Sequence, residues 1–150
     1  MGELLFALGT FLVALTILFV FLRTHSDNAN NDLAFQELER RADNAVDVLV
    51  TSQGVPASWE TDPASVQVLG LASRSRVLSP EKVSAFVNSD HQFVRDTLNM
   101  PPHDYYFRLS YANGSLIAET GNISTTKQAV GIERIVTYNN ESAILSFRMY

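Results

Sequence analysis

Hydrophobic residues occupy the first part of the chain without interruption. No charged residue occurs from Leu4 to Leu22, and the run consists mostly of Leu, Phe, Val, Ile and Ala. At 1.5 Å per residue, about 20 such residues span the hydrocarbon core of a bilayer, which is roughly 30 Å thick. The pattern predicts an apolar helix over residues 1–22 that either crosses a membrane or forms the core of a filament.

Two other structures also produce an apolar run of this kind. A buried helix of a soluble core is disfavoured, because a domain of this size cannot surround a helix that is apolar on every side. A cleaved signal peptide has basic residues before the run and a small-residue cleavage site after it. Here Glu3 precedes the run and Phe21, Leu22 and Arg23 end it, so we expect the segment to be retained.

A second hydrophobic pattern, with helical spacing, follows a polar segment. Residues 23–32 are polar and poor in helix formers, and we interpret them as a connector. Beyond them, spacings of three and four predict an amphipathic helix that Gly54 and Pro56 end. The apolar face of this helix consists of Leu38, Ala42, Ala45, Val46, Leu49 and Val50.

The last third of the chain has the alternation and the turn residues of β-strands. Asn113-Gly114 is a strong hairpin signal between the apolar segments 105–111 and 116–118. A second hairpin is predicted from residues 131–138 and 143–150. We therefore expect antiparallel pairing throughout this part of the chain.

Together these patterns predict an α+β fold. A long N-terminal helix, apolar in its first half and amphipathic in its second, is expected to pack on an antiparallel sheet of about four strands. The predicted organisation is an apolar helix over residues 1–22, a polar connector over 23–32, and an α+β head over 33–150.

Composition narrows the chemistry that this head is expected to perform. The net charge is −5 and basic residues are scattered, which argues against nucleic acid as a partner. The chain has no cysteine, so disulfides, thiol nucleophiles and thiolate metal sites are excluded. Its histidines, His25, His91 and His103, lack the spacing of metal ligands. We therefore predict no catalytic residue, no metal, no cofactor and no enzymatic activity.

Two features bear on the side of a membrane on which the head would lie. Arg23 after the apolar run favours a cytoplasmic head by the positive-inside rule. Three acceptor sequons, which begin at Asn113, Asn122 and Asn140 and fall in predicted turns, favour the opposite side and are candidate glycosylation sites. We expect a membrane-anchored protein with an extracytoplasmic head at the cell surface.

Three local patterns carry a resemblance to a known family. The first is a helix end leading into Gly54-Val55-Pro56-Ala57-Ser58-Trp59, and the second is Leu69-Gly70-Leu71-Ala72 followed by a helix start at Val77-Leu78-Ser79-Pro80-Glu81-Lys82. The third is the closing hairpin from Glu133-Arg134-Ile135-Val136 to Phe147-Arg148-Met149-Tyr150. With the order of elements, these patterns resemble the archaeal type IV pilin-like proteins of the class III signal-peptide superfamily.

The resemblance implies a non-catalytic, pilin-like subunit of a cell-surface filament or of a secretion or adhesion assembly. Its partners would be membrane lipid and other pilin-like subunits, either copies of itself or relatives. Glu3 would then either reach lipid head groups or pair with a neighbour's amino terminus. The alternative is a single-pass membrane-anchored binding or sensor module outside the cytoplasm. The predicted assembly residues are Glu3, Leu4, Leu5, Phe6, Leu8, Phe11, Leu12, Leu15 and Phe19.

Overall fold

The computed structural model describes residues 2–125 and 128–150; at Leu4, Leu5, Leu22 and 24–32 it describes the backbone alone. The chain divides into two compact units, Met1–Glu37 and Leu38–Tyr150. Three α-helices, two single-turn 3-10 helices (Trp59–Thr61 and Pro63–Ser65) and six strands occur among the described residues. The helices are α1 (Gly2–Thr51), α2 (Pro80–Asn88) and α3 (His91–Thr97), and the strands are β1 (Ala72–Arg74), β2 (Val77–Leu78), β3 (Tyr105–Tyr111), β4 (Leu116–Gly121), β5 (Val130–Tyr138) and β6 (Glu141–Met149).

The sheet is larger than predicted and it is mixed. Its strands lie in the order β1-β2-β5-β6-β3-β4. The pairing of β2 with β5, through Val77 and Thr137, is parallel, whereas the other four pairings are antiparallel. The predicted fold, a long helix on about four antiparallel strands, is therefore wrong. The described part of the second unit contains a six-stranded mixed sheet together with α2, α3 and the 3-10 turns.

The two hairpins of the last third account for four of these strands. Gly114, in the turn between β3 and β4, has φ +88°, a conformation that glycine adopts without strain. Asn139 and Asn140, between β5 and β6, have φ of 50° and 65°, as a two-residue hairpin turn of this hand requires. Local turn chemistry therefore determines both connections.

The core of the second unit forms between α1 and the sheet. All six residues of the apolar face predicted from helical spacing are buried. All of them except Ala45 belong to one hydrophobic core cluster with alternate residues of β6, namely Leu145, Phe147 and Met149, which are also buried. Aromatic rings fill the centre: the ring of Phe86 lies 5.0 Å from that of Phe107 in an edge-on arrangement. Because a helix face and a strand face each bury one side, this packing is the main source of the hydrophobic free energy of the unit.

Beyond the end of α1, the chain returns so as to supply hydrogen-bond donors to the helix. The last carbonyl groups of a helix lack partners within the helix. Here the N–H of Leu71 donates to Leu49 O at 2.9 Å, and that of Arg76 donates to Val50 O at 2.8 Å. The N–H of Ala72 donates to the carbonyl of Ser52, just past the helix, at 3.1 Å. These bonds place β1 and β2 beside the helix end, although neither strand is long enough to show an alternating pattern.

An ion-pair cluster joins β5 of the sheet to α1. The side chain of Arg134, on β5, pairs with Asp43 and, at 3.4 Å, with Asp47 of α1. The two carboxylates are four residues apart, so they lie on one helix face. Arg134 takes its place on β5 in step with Val130 and Val136, which are buried. A charged residue in this row is tolerated because both carboxylates are within its reach.

We predict that Leu49→Ala lowers the free energy of unfolding by about 2–5 kcal/mol, because the leucine side chain is fully buried and its removal leaves a cavity. Chemical denaturation measures the change. The matched control is Val48→Ala, at a neighbouring position that is 36% exposed, for which we expect a change within about 0.5 kcal/mol. Equal losses for the two variants would contradict the packing of α1 on the sheet.

Candidate functional site

The first unit presents apolar side chains on every side of its helix. Leu, Phe and Ala are compatible with helix formation, and the acidic Glu3 suits the positive end of the helix dipole. At 100° per residue, Phe6, Phe11 and Phe19 point in different directions, yet they are 76%, 61% and 65% exposed. The other large apolar residues exposed between Phe6 and Phe21, by 49% to 65%, are Leu8, Leu12, Val13, Leu15, Ile17, Leu18, Val20 and Phe21. We call this exposed set the apolar helix surface.

Polar groups within the apolar helix surface are satisfied locally. The hydroxyl of Thr10 donates to the carbonyl of Ala7 at 2.9 Å, and that of Thr16 donates to Leu12 at 2.8 Å. A side-chain hydroxyl that donates to a carbonyl of its own helix does not need a hydrogen-bond partner outside that helix. The surface therefore behaves as an apolar one even where the sequence has threonine.

The predicted assembly residues belong to this surface as far as the structure describes them. Glu3 is exposed in the first turn of the helix. The side chains of Leu4 and Leu5 lie outside the described residues, so their part in the prediction has no structural counterpart. The other predicted residues, Phe6, Leu8, Phe11, Leu12, Leu15 and Phe19, are all exposed.

The predicted membrane span needs correction. Among the residues that the structure describes, no helix has both the length and the apolar character needed to cross a bilayer. The predictions of a transmembrane helix over residues 1–22, of a membrane anchor, and of an extracytoplasmic head at the cell surface are therefore wrong.

In the second unit, one carboxylate collects partners from several elements. The Nε2 atom of His91, at the start of α3, lies 2.5 Å from Asp104 Oδ1, just before β3. The same carboxylate accepts the N–H of Tyr105 at 3.0 Å and, through Oδ2, the side-chain amide of Asn122 at 3.4 Å. The ring of His91 stacks on that of Tyr105, with centroids 4.6 Å apart and planes inclined by 11°. Asp104 thus joins α3 to the two strands of the first hairpin.

The electrostatics of this cluster follow from its contacts. Partial burial raises the pKa of Asp104, but the hydrogen bonds from His91, Tyr105 and Asn122 outweigh burial and hold that pKa below its ordinary value. Burial raises the pKa of Tyr105 to about 12, so its hydroxyl stays protonated at neutral pH. Asp104 is the ionised acceptor of the cluster and Tyr105 is a neutral platform for His91.

The remaining candidate residues for chemistry do not converge. His103 Nδ1 lies 3.2 Å from the carbonyl oxygen of Tyr150, a backbone group. Within residues 2–125 and 128–150, no three or more histidine, aspartate or glutamate side chains group so as to hold a metal ion. His25 lies among the residues whose side chains are outside the described part.

The three sequon asparagines have different surroundings. The Oδ1 atom of Asn113 accepts the N–H of Ser115 at 2.9 Å, and the side-chain amide of Asn122 donates to Asp104. Asn140 is exposed in the turn between β5 and β6. Sugar attachment stays a prediction for all three.

One buried charged residue was not predicted from the sequence. Lys82 is only 6% exposed, and its ammonium donates to the carbonyls of Gln53 at 2.5 Å and Ala57 at 2.7 Å. It lies one residue inside a helix start that the Ser79-Pro80-Glu81 pattern signals, and the hydroxyl of Ser79 accepts the Lys82 N–H as the helix cap. Its burial had no sequence signal, because a lysine in the first turn of a short helix is ordinarily solvated.

We predict that Asp104→Asn lowers the free energy of unfolding by about 1–3 kcal/mol near pH 7, because charged hydrogen bonds are lost. An aspartate whose pKa is lowered by folding contributes stability above its unfolded pKa of about 3.9, and this contribution disappears as the pH falls through the lower folded value. The difference between the two proteins should therefore shrink below about pH 4. Denaturant unfolding between pH 2 and pH 7 measures it.

The control for this variant is Asp96→Asn, at an exposed position of α3. We expect its stability at pH 7 to lie within about 0.5 kcal/mol of the unmodified protein. A difference for Asp104→Asn that stays constant from pH 7 to pH 2 would show that its hydrogen bonds do not depend on ionisation.

Comparison with known proteins finds no matching family model, no similar curated protein and no similar solved structure. The resemblance to the archaeal type IV pilin-like proteins thus has no support from relatives, and it stays a prediction from the sequence.

Proposed function

We propose that the protein is a non-catalytic assembly subunit whose N-terminal helix packs against the equivalent helices of other subunits. The observation that carries the proposal is the apolar helix surface of the first unit, exposed on every side. A contiguous apolar surface of this extent is typical of an interaction site, because large apolar patches on soluble monomers are rare.

The geometry of the surface favours several neighbours over one. A single partner helix covers one stripe of an apolar helix, about 100° wide in an ordinary amphipathic contact. Here Phe6, Phe11 and Phe19 lie on different sides, so one contact leaves most of the surface in water. A bundle or a filament of like helices covers all sides at once, and identical subunits supply identical helices.

The energetic scale is sufficient for stable association. Burying one phenylalanine or leucine contributes about 1.5–3 kcal/mol, so a few side chains per contact offset the loss of translational and rotational freedom. The polar groups impose little cost, because the threonine hydroxyls are already bonded within the helix. Charge is confined to Glu3 at one end and Arg23 at the other within the described side chains of this segment.

The contacts in the head are consistent with a role other than catalysis. A serine or threonine nucleophile needs a histidine within hydrogen-bond reach of its hydroxyl. His91 contacts the carboxylate of Asp104, and His103 contacts the backbone carbonyl of Tyr150. The chain has no cysteine. These contacts organise the ends of α3 and β3, which supports a structural role for the cluster.

We predict that the protein forms higher-order species and that the double variant Phe11→Ser, Phe19→Ser weakens them. Losing two buried rings from each copy should raise the dissociation constant at least tenfold. Sedimentation velocity over a concentration series measures the distribution of species. The control is Ile135→Ser, which removes a similarly exposed apolar side chain, 72% accessible, from the head. A strictly monomeric unmodified protein would refute the proposal, and so would equal effects of the double variant and the control.

Glu3→Gln tests the end of the same surface. If Glu3 pairs with a positive group of a neighbouring subunit, removal of its charge should weaken association while the head keeps its unfolding free energy. The same sedimentation series, with denaturant unfolding of the head, measures both quantities. Unchanged association of Glu3→Gln would restrict the interface to the apolar side chains.

A further inference from the structure

A cleft in the second unit has no role in the assembly just described. The two 3-10 turns form one of its sides, and the end of α2 and the start of α3 form the other. Its volume is about 530 Å³, within the range of roughly 300–1,000 Å³ that small-molecule sites occupy. The lining consists of Glu60, Pro63, Ala64, Ala85, Asn88, Ser89, Asp90 and Phe93.

The donor groups of the cleft are already engaged. The side-chain amide of Asn88 donates to Ser84 O at 2.9 Å, and the hydroxyl of Ser89 donates to Ala85 O at 2.7 Å. Neither group is directed to a ligand by these bonds. The lining contains no lysine, arginine or histidine. What the cleft offers to an occupant is therefore an excess of acceptors.

Two carboxylates supply the strongest of these acceptors. Glu60 Oε2 is shielded from solvent and has no hydrogen-bond partner among the described residues. Asp90 is exposed, and its Oδ1 accepts the N–H groups of Gln92 and Phe93 as the cap of α3. A shielded carboxylate oxygen without a donor costs free energy. Glu60 lines the cleft, so rotation of its carboxylate towards the cleft would let a cation or an N–H group there remove that cost.

The backbone beside Glu60 and the side chain of Asp90 are held in place before anything binds. Glu60 follows Trp59, whose ring is fully buried and whose Nε1 donates to Gly70 O at 2.8 Å. The capping bonds of Asp90 fix its side chain on the end of α3. Preorganised acceptors bind a donor without the entropic cost of ordering them first.

The rest of the lining is apolar. Pro63, Ala64 and Ala85 provide aliphatic surface, and Phe93 is a half-buried aromatic ring. A ring of this kind accepts either an apolar group or the face of a planar cation. We propose that the cleft binds a small organic cation, namely a protonated amine, amidine or guanidine on an apolar body, which donates to Glu60 and Asp90 and packs against Phe93.

The probe for this proposal is benzamidine, and its neutral isostere benzamide is the matched control. Both are titrated into the full chain, and backbone amide shifts are followed by NMR. We expect benzamidine to shift the amides of Glu60, Asp90 and Phe93 saturably, with benzamide at least tenfold weaker. Absence of saturable shifts would overturn the proposal. Equal affinities for benzamidine and benzamide would also overturn it, because the cleft would then act only as an apolar surface.

Glu60→Gln and Asp62→Asn separate a local contact from general electrostatics. Both remove one negative charge from the same segment, but Asp62 is exposed and does not line the cleft. We expect Glu60→Gln to weaken benzamidine binding about tenfold and Asp62→Asn to change it less than twofold. Equal losses would overturn the site. If Glu60→Gln fails to fold, Asp90→Ser removes the second carboxylate and keeps a capping side chain.

A basic side chain of a partner protein can present the same kind of cationic group as a free small molecule. N-acetyl-arginine methylamide, which presents the guanidinium on a flexible peptide-like stem, distinguishes the two sources. Tighter binding of benzamidine supports a small molecule with a compact apolar body. Tighter binding of the capped arginine would overturn that part of the proposal and assign the cleft to a partner's side chain.

Discussion

The fold of the second unit depends on how the end of α1 satisfies its carbonyl groups. A helix leaves its last four carbonyls without internal partners, and here the helix end is packed against other elements. The N–H groups of Leu71 and Arg76 reach the carbonyls of Leu49 and Val50, which requires the chain to turn back within 22 to 26 residues. That return places β2 beside β5, and the parallel pairing of the sheet is its consequence.

The loop between the end of α1 and β1 is also stabilised by hydrogen bonds to its backbone carbonyl groups. Its carbonyls at Gln53 and Ala57 face the interior, where they accept the ammonium of Lys82. A buried cation is tolerated when several acceptors replace its water, which is the case here. Gly70 completes the loop, because a Cβ at this position would lie 2.3 Å from the carbonyl of Ser52. Lys82 and Gly70 thus satisfy polar and steric requirements that originate at the helix end.

Sequence patterns could predict the elements whose cause is local, but not those held by distant partners. The buried face of α1, the turn at Asn113-Gly114 and the cap at Ser79 follow from spacing and turn chemistry, and the structure has all three. β1 and β2 are too short for a period and exist because of backbone donors that the helix end needs. The pairing of Arg134 with Asp43 joins residues 91 positions apart, and the cleft needs side chains from two separate stretches of the chain, residues 60–64 and 85–93. No local pattern predicts such contacts.

The distribution of buried residues separates folding from association. The hydrophobic core cluster begins at Leu38, so within the described residues no side chain of the first unit belongs to it. The apolar helix surface therefore contributes nothing to that core, while it makes the chain less soluble. The proposed association of these helices would remove that exposure. Leu145 and Phe147 close this core from the sheet side, so the described core of the second unit is built without side chains of the first.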